Sequence, residues 1–333
     1  MATSTRPQWV YWGGLTSLTH VVYGASWLRE LRARRTGGIT VALAKTHSFL
    51  GSGLLTLDDV AGQLAGIDAL RVVPAPPSPQ IPRRYQATYL SVGAPGLRDW
   101  TRLHRANPLS RIPVVVTDEG LSSYGTWRTR RDAWLREGGT EPHTTVRALA
   151  VAGARQALTS TSWLLHRRSA AGWTVHEPIA DEFRRRAERG APGTLAVFCS
   201  QPWVELGLVT ASQYTAFVLN VARQAERAGL SFAVRPHPVE DASRYAPEVR
   251  VVAGDSPAEF DPLCVDAAVV LGASSTALIN LAAVHGVPTV RVSHPAVAEL
   301  DRGLSRDQES LIDTYLGAPV EPTALAGALG RLA

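Results

Sequence analysis

The segment from Leu195 to Arg235 decides the fold, because it reads as Leu195–Ser200 (LAVFCS), Ala211–Ala228 (ASQYTAFVLNVARQAERA) and Leu230–Arg235 (LSFAVR). The two short apolar runs are typical of buried strands, and the long run has helical periodicity. Thr210 and Gln213 predict a capping box at the start of the helix. A strand–helix–strand unit of this length predicts two parallel strands joined by a right-handed crossover.

The same alternation extends in both directions along the chain. Further strands are predicted at Gln8–Trp12, Ile39–Ala44, Ala69–Val73, Ile112–Thr117, Val249–Ala253, Ala267–Leu271 and Val287–Val292. Helices are predicted at Leu15–Arg35, Leu57–Leu64, Leu97–Arg105, Thr126–Arg136, Val146–Leu165, Ile179–Arg189 and Thr276–His285. Two such sets predict an α/β protein with two Rossmann-like domains facing across a cleft. The glycine-rich segment 190–193 is the predicted linker between domains 1–190 and 194–333.

Composition limits the class of protein. The chain has 333 residues, of which 45% are hydrophobic and 19% are charged, and these values exclude a disordered chain. Cys199 and Cys264 are too few for a disulfide framework, so a reducing cytoplasmic location is predicted. The most apolar stretch, residues 265–292, is interrupted by glycine, proline and histidine, which excludes a membrane span there. A location at the inner face of the membrane stays open.

The net charge of +5 comes almost entirely from arginine, since Lys45 is the only lysine. Arginine with abundant alanine and almost no lysine is typical of a GC-rich genome, so we do not predict a nucleic-acid partner. The excess of positive charge favours an anionic substrate.

Three motifs follow predicted strands, where open parallel sheets bind their ligands. The first is Asp118-Glu119-Gly120, after the strand at 112–117. Gly120 permits a turn with positive φ, and a carboxylate at this position can act as a general base. A solvated turn at a strand end is the alternative. Gly13-Gly14 follows the first strand, which is usually central in such a domain, and is expected to line the same cleft.

The second motif is His237-Pro238, after the strand at 230–235. Prolines on both sides of His237 restrict its backbone, and the imidazole can hydrogen-bond a leaving phosphate. The third is Ser274-Ser275-Thr276, at a helix start. Hydroxyls and free N–H groups there form an anion site, although simple N-capping by Ser274 or Ser275 is the alternative.

Several signatures are absent from the sequence. There is no Asp-x-Asp motif, no Gly-x-Gly-x-x-Gly fingerprint, no Walker loop and no His/Cys spacing for a metal. We therefore expect no metal or other cofactor.

In their order along the chain, the three motifs resemble those of bacterial sialyltransferases, especially polysialyltransferase-type capsule enzymes. Those families share a D/E-D/E-G motif, an HP motif and a serine/threonine-rich motif. A glutamate between the last two corresponds in position to Glu259. The resemblance spans residues 110–292 through its motifs.

The resemblance implies an inverting, metal-independent GT-B glycosyltransferase. Its donor is a CMP-activated sialic acid or related nonulosonate, and its acceptor is a glycan or another hydroxyl compound. Asp118 is then the general base, supported by Glu119 and Gly120, and His237 assists departure of CMP. The donor contacts are Pro238, Glu259, Ser274, Ser275 and Thr276. Closure of the two domains would bring the base to the donor.

Two alternatives remain. CDP-glycerol-dependent teichoic-acid polymerases also combine a His-Pro motif with a serine-rich CMP site, and they share the CMP half of the donor. From a different class, the chain could be an inactive carbohydrate-binding relative.

Overall fold

A computed structural model describes residues 5–45, 55–191, 193–245, 248–252, 254 and 256–332 of the chain. The chain divides into two compact units. Unit 1 comprises Met1–Leu135 and Gly139–Glu182, and unit 2 comprises Arg136–Gly138 and Phe183–Ala333. The division lies before the predicted linker, whose Pro192 is outside the described residues.

Unit 1 is built on a six-stranded parallel sheet. Its strands are β1 (Gln8–Gly13), β2 (Ile39–Leu43), β3 (Leu70–Pro74), β4 (Gln86–Val92), β5 (Val114–Thr117) and β6 (Thr159–Trp163). Their order is β3-β2-β1-β4-β5-β6. This is the Rossmann strand order, so the expected fold class is confirmed for this unit.

The helices of unit 1 are α1 (Leu18–Ala33), α2 (Leu57–Leu64), α3 (Leu97–Ala106), α4 (Trp127–Arg136) and α5 (His143–Leu158), and α6 (Glu177–Arg186) leads into unit 2. An antiparallel hairpin, β7 (His166–Ser169) and β8 (Gly172–Val175), precedes α6. The core of the sheet includes Tyr11, Tyr89 and Val116, each at most 2% exposed. Side chains are buried on both faces of the central strands, as parallel sheets require.

Unit 2 is built on a five-stranded parallel sheet. Its strands are β9 (Leu195–Cys199), β10 (Ser231–Arg235), β11 (Arg250–Val251), β12 (Val269–Gly272) and β13 (Thr289–Arg291), in the order β11-β10-β9-β12-β13. The helices are α7 (Ala211–Arg227), α8 (Pro262–Val265), α9 (Thr276–Asn280, continued by a π turn to His285), α10 (Pro295–Asp301), α11 (Arg306–Leu316) and α12 (Leu325–Leu329). The capping box of Thr210 and Gln213 at α7 is confirmed.

Some sequence predictions are wrong. The helix predicted over 146–165 ends at Leu158, and the next five residues form β6, because hydroxyl-bearing and β-branched side chains favour a strand that can pair with β5. Strand β4 was not predicted, although it occupies the centre of the sheet. The predicted strand over 249–253 is reduced to β11, and Ala253 lies outside the described residues.

Candidate functional site

In unit 1, the predicted residues meet at the carboxyl edge of the sheet. Strands β1 and β5 both flank β4, so Gly13-Gly14 and Asp118-Glu119-Gly120 leave the same edge. Gly14 and Gly120 both have φ of +85°, a left-handed conformation that favours glycine. The turn expected at Gly120 is therefore confirmed.

Asp118 is enclosed rather than open to solvent, with an exposed fraction of only 1%. Its Oδ1 accepts the Gly120 N–H at 2.8 Å. Its Oδ2 accepts the Leu165 N–H at 3.0 Å and the hydroxyl of Tyr124. Burial raises the pKa of the Asp118 carboxyl, and these hydrogen bonds partly oppose that shift. The enclosure of Asp118 argues against the alternative of a solvated turn at this residue, and its role as a base stays a prediction.

Glu119 is the more accessible carboxylate of the motif, with a side chain 31% exposed. It lies 3.0 Å from the guanidinium of Arg130, and its backbone N–H donates to Ser123 Oγ at 2.8 Å. A Cβ at Gly93 would come within 2.3 Å of its Oε2, and Gly93 has φ of +64°. A side chain at position 93 would be strained by this backbone conformation and would displace the Glu119 carboxylate.

His20 is a neighbour of both carboxylates that the sequence analysis missed. It lies in the first turn of α1, and its Nδ1 lies 3.1 Å from Thr16 Oγ1. Burial lowers the pKa of its imidazole, while the negative charges of Glu119 and Asp118 oppose that shift. Only the Thr-Ser pair at the helix start could have drawn attention to it.

In unit 2, His237 follows β10 and is half-buried. Its Nδ1 accepts the Val239 N–H at 3.4 Å, which favours the tautomer protonated at Nε2. Burial lowers the pKa of the imidazole, with the charge of Glu205 opposing. A neutral ring of this tautomer can donate a hydrogen bond to an anion through Nε2.

Glu240 anchors the His-Pro turn and was not predicted. Its Oε2 accepts the His237 N–H at 2.7 Å and the hydroxyl of Ser200, at the end of β9. Its Oε1 accepts the Tyr245 hydroxyl at 2.8 Å. Burial raises the pKa of the Glu240 carboxyl. One carboxylate therefore ties together the turns that follow two neighbouring strands.

On the other side of this turn, Arg235 forms an ion pair with Asp261 and donates to the carbonyl of Ser256. Both side chains of the pair are at least nine-tenths buried. Glu259 lies between Ser256 and Asp261, the two residues that Arg235 contacts, and it is 3% exposed. Its Oε1 accepts the Asn280 side-chain N–H at 2.9 Å. Glu259 thus contacts Asn280, and burial raises the pKa of its carboxyl. Its predicted contact with a ribose or cytosine stays a prediction.

The hydroxyls of the third motif have separate partners. Ser275 is the N-cap of α9 and accepts the Leu278 N–H at 3.2 Å, and Thr276 is the first helical residue. Ser274 donates to Asp301 at 2.9 Å and accepts from Arg291 at 3.1 Å. Capping by Ser275 is therefore confirmed, and the role of Ser274 depends on two residues that the sequence analysis did not single out.

Within the described ranges, no group of three or more His, Cys, Asp or Glu side chains is arranged to hold a metal ion. In the same part of the chain, no helix is both long and apolar enough to cross a membrane.

No protein-family model matches the chain, and no curated protein matches it in sequence. Solved structures do match it in fold. One is a UDP-N-acetylglucosamine 2-epimerase from Listeria monocytogenes, with a TM-score of 0.59, 10% identity and coverage of 99% of this chain and 88% of that one. Another is CalG4, the calicheamicin glycosyltransferase, with a TM-score of 0.50, 13% identity and coverage of 98% and 89%.

A sialyltransferase from Photobacterium phosphoreum also matches, with a TM-score of 0.44, 10% identity and coverage of 92% and 98%. A match with this TM-score supports no argument about function. Together with the two sheets, the matches with higher scores establish an α/β fold of the glycosyltransferase GT-B type. Similarity at such low identity establishes the fold alone.

Proposed function

We propose that the chain is a glycosyltransferase that moves sialic acid or a related nonulosonate from a CMP-activated donor to a hydroxyl acceptor. The observation that carries the proposal is the position of its three motifs. Asp118-Glu119-Gly120 follows β5 of unit 1, while His237-Pro238 and Ser274-Ser275-Thr276 follow β10 and β12 of unit 2. Each therefore lies where parallel sheets present ligand-binding residues.

The donor half of the proposal rests on unit 2. Strands β10 and β12 both flank β9, so their carboxyl ends lie about 10 Å apart, two strand spacings. We propose that the hydroxyls and first N–H groups at α9 bind the phosphate, and that His237 donates to it through Nε2.

This arrangement suits the departure of CMP. The phosphate leaves already ionised, so it needs hydrogen-bond donors and positive potential more than a strong acid. In this proposal a neutral His237 held by Glu240, together with the first N–H groups of α9, supplies both without a metal. The expectation of metal independence remains part of the proposal.

The acceptor half rests on unit 1. By resemblance, Asp118 is the base that takes the proton of the acceptor hydroxyl. Its raised pKa suits a general base, since proton transfer is most efficient when the pKa approaches the working pH. Its enclosure means that the turn at 118–124 must open for this step, whereas the neighbouring Glu119 is already accessible. We keep Asp118 as the proposed base and Glu119 as the alternative.

Ligand binding and turnover test the donor class. We expect CMP and CMP-sialic acid to raise the melting temperature. At a ligand concentration a hundredfold above Kd, binding should increase the free energy of unfolding by about 2.7 kcal/mol. Incubation with CMP-sialic acid and a glycan should release CMP at the same rate with and without EDTA. Stabilisation by UDP-N-acetylglucosamine or UDP, with none by CMP, would contradict the proposal.

The same panel separates the alternatives. Release of CMP from CDP-glycerol, with none from CMP-sialic acid, would identify the glycerophosphotransferase reaction. Binding of glycans without release of CMP from either donor would identify a carbohydrate-binding protein.

A serine variant tests the phosphate site. We expect Ser275→Ala to weaken CMP binding by about 0.5–1.5 kcal/mol, one hydrogen bond, and to lower the free energy of unfolding by about 1 kcal/mol through the lost cap. Ser305→Ala is the matched control, since Ser305 caps α11 of the same unit through the Gln308 N–H, also at 3.2 Å. Calorimetric titration with CMP should show weaker binding for Ser275→Ala alone. Equal CMP affinity in the two variants would show that Ser275 acts only as a helix cap and does not bind the phosphate.

A further inference from the structure

A concave groove lies on the surface of unit 1, and none of its lining residues belongs to the three motifs. It has a volume of about 610 Å³ and runs along α3, opposite the proline-rich loop that follows β3. Its lining residues are Ser78, Leu97, Arg98, Thr101, Arg102, Arg105 and Ala106. Three of these are arginines and none is acidic. The groove therefore presents positive charge and hydroxyl groups together.

The three arginines form one stripe on α3. Arg98, Arg102 and Arg105 are spaced four and three residues apart, so they share a helix face. Their Cα atoms are separated along the helix axis by about 6 Å and about 4.5 Å. Charge spread in this way along a line suits an extended ligand with regularly repeated anions, more than it suits a single phosphate.

These guanidinium groups are not neutralised by nearby carboxylates. All three residues are exposed, and within the described residues Arg98 and Arg105 have no ion pair. Arg102 has only the distant contact of 3.9 Å with Asp99. Exposed pairs at such distances contribute little, so the stripe retains its charge for a ligand.

The wall facing the stripe is held by Asn107, a buried residue just after α3. Its Nδ2 donates to the carbonyls of Pro79 at 2.7 Å and Leu103 at 2.8 Å. Its Oδ1 accepts the Ile81 N–H at 2.8 Å. One amide therefore fixes the loop beside Ser78 to the end of α3, and the groove is preformed.

The lining also argues against other polyanions. It contains no aromatic side chain, so nucleic-acid bases would find no stacking surface. Its apolar contribution is limited to Leu97 and Ala106, which is too small for the side-chain pockets of a peptide groove. Hydroxyls of Ser78 and Thr101 can exchange hydrogen bonds with sugar hydroxyls while the arginines bind carboxylates.

We propose that this groove binds a linear acidic glycan, a chain of sugars with one carboxylate on each unit. The groove is lined by residues of unit 1, whereas the proposed donor residues belong to unit 2, and the inference does not depend on the donor being CMP-linked. The proposal assigns a ligand-binding role to three of the arginines that give the sequence its positive charge.

Fluorescence anisotropy of the full chain, without any nucleotide, tests the proposal. The labelled probes are an oligouronate hexamer, neutral maltohexaose, a hexaglutamate peptide and a six-nucleotide oligothymidylate. We expect the oligouronate to bind at least tenfold more tightly than the other three, and its affinity to fall as salt rises. The variant Arg98→Ala/Arg102→Ala/Arg105→Ala should bind it at least tenfold more weakly.

The control variant is Arg223→Ala/Arg227→Ala/Arg250→Ala, which removes the same charge from exposed positions of unit 2. It should retain the affinity of the original chain. Equal losses in the two triple variants would overturn the proposal, as would absence of oligouronate binding or preferred binding of the peptide or the oligonucleotide. CMP binding, measured separately, should be unchanged in the α3 variant, so failure of the donor proposal and failure of this one are distinguishable.

Discussion

Asp118→Asn should remove sugar transfer almost completely, by about 10²–10⁴-fold in kcat, if Asp118 is the general base. A base acts in the transition state, so CMP affinity should change little. The contacts of Asp118 imply that the Asp118→Asn variant also has a lower free energy of unfolding. The Asn amide nitrogen would face either the Gly120 N–H or the Leu165 N–H, both donors, and we expect a loss of about 1–3 kcal/mol.

A matched variant separates that cost from catalysis. Tyr124→Phe removes one hydrogen bond from the same carboxylate but leaves the Asp118 charge in place. With the two variants compared at equal fractions folded, Asp118→Asn should lose far more activity than Tyr124→Phe. Comparable losses would show that Asp118 acts by holding the turn.

Glu119→Gln completes the comparison. Its side chain is partly exposed and pairs with Arg130, so the change should cost little stability. We expect a mild loss of transfer. If Glu119→Gln were inactive while Asp118→Asn remained active, Glu119 would be identified as the general base. The measurement is initial rate of transfer with CMP affinity determined alongside.

Asp261→Ala should give the largest loss of stability, about 3–5 kcal/mol, because it leaves the guanidinium of Arg235 buried without its partner. Since Arg235 directly precedes the His-Pro turn, donor binding should weaken as well. Urea unfolding followed by tryptophan fluorescence gives the free energy of unfolding.

The control for this prediction is the double variant Arg235→Met/Asp261→Leu, which replaces the pair by apolar side chains of similar size. It should recover most of the stability, because no charge is left buried alone. A double variant as unstable as Asp261→Ala would contradict an explanation based on the unpaired charge.

The fold was largely predictable because buried parallel strands carry continuous apolar runs. Strand β5 and the strand–helix–strand unit β9–α7–β10 show this most clearly. Strand β4 follows a loop rich in proline and mixes polar with apolar residues, so its central place depends on pairing with β1 and β5, which are distant in sequence. The same is true of β6, whose hydroxyl-rich sequence gains its structure from β5.

The candidate site was predictable in its position and much less so in its contacts. Strand ends identified Asp118, His237 and Ser275 from local patterns. The enclosure of Asp118 depends on Tyr124 and on the Leu165 backbone, which reach it through tertiary packing. Glu240 likewise accepts from Ser200, 40 residues away, and Asn280 donates to Glu259, 21 residues away. Such partners become visible only with the fold.

Helix α6 begins in unit 1 and ends in unit 2. Glu182 forms an ion pair with Arg29 of unit 1, whereas the next residue, Phe183, packs against Phe260 of unit 2 and Arg184 donates to the Val284 carbonyl. A C-terminal fragment that starts at the glycine-rich segment would therefore expose Phe260 and aggregate more readily than one that starts at Glu177. Expression trials of the isolated unit 2 should begin upstream of α6, and proteolytic cleavage at 190–193 should release fragments of unequal solubility.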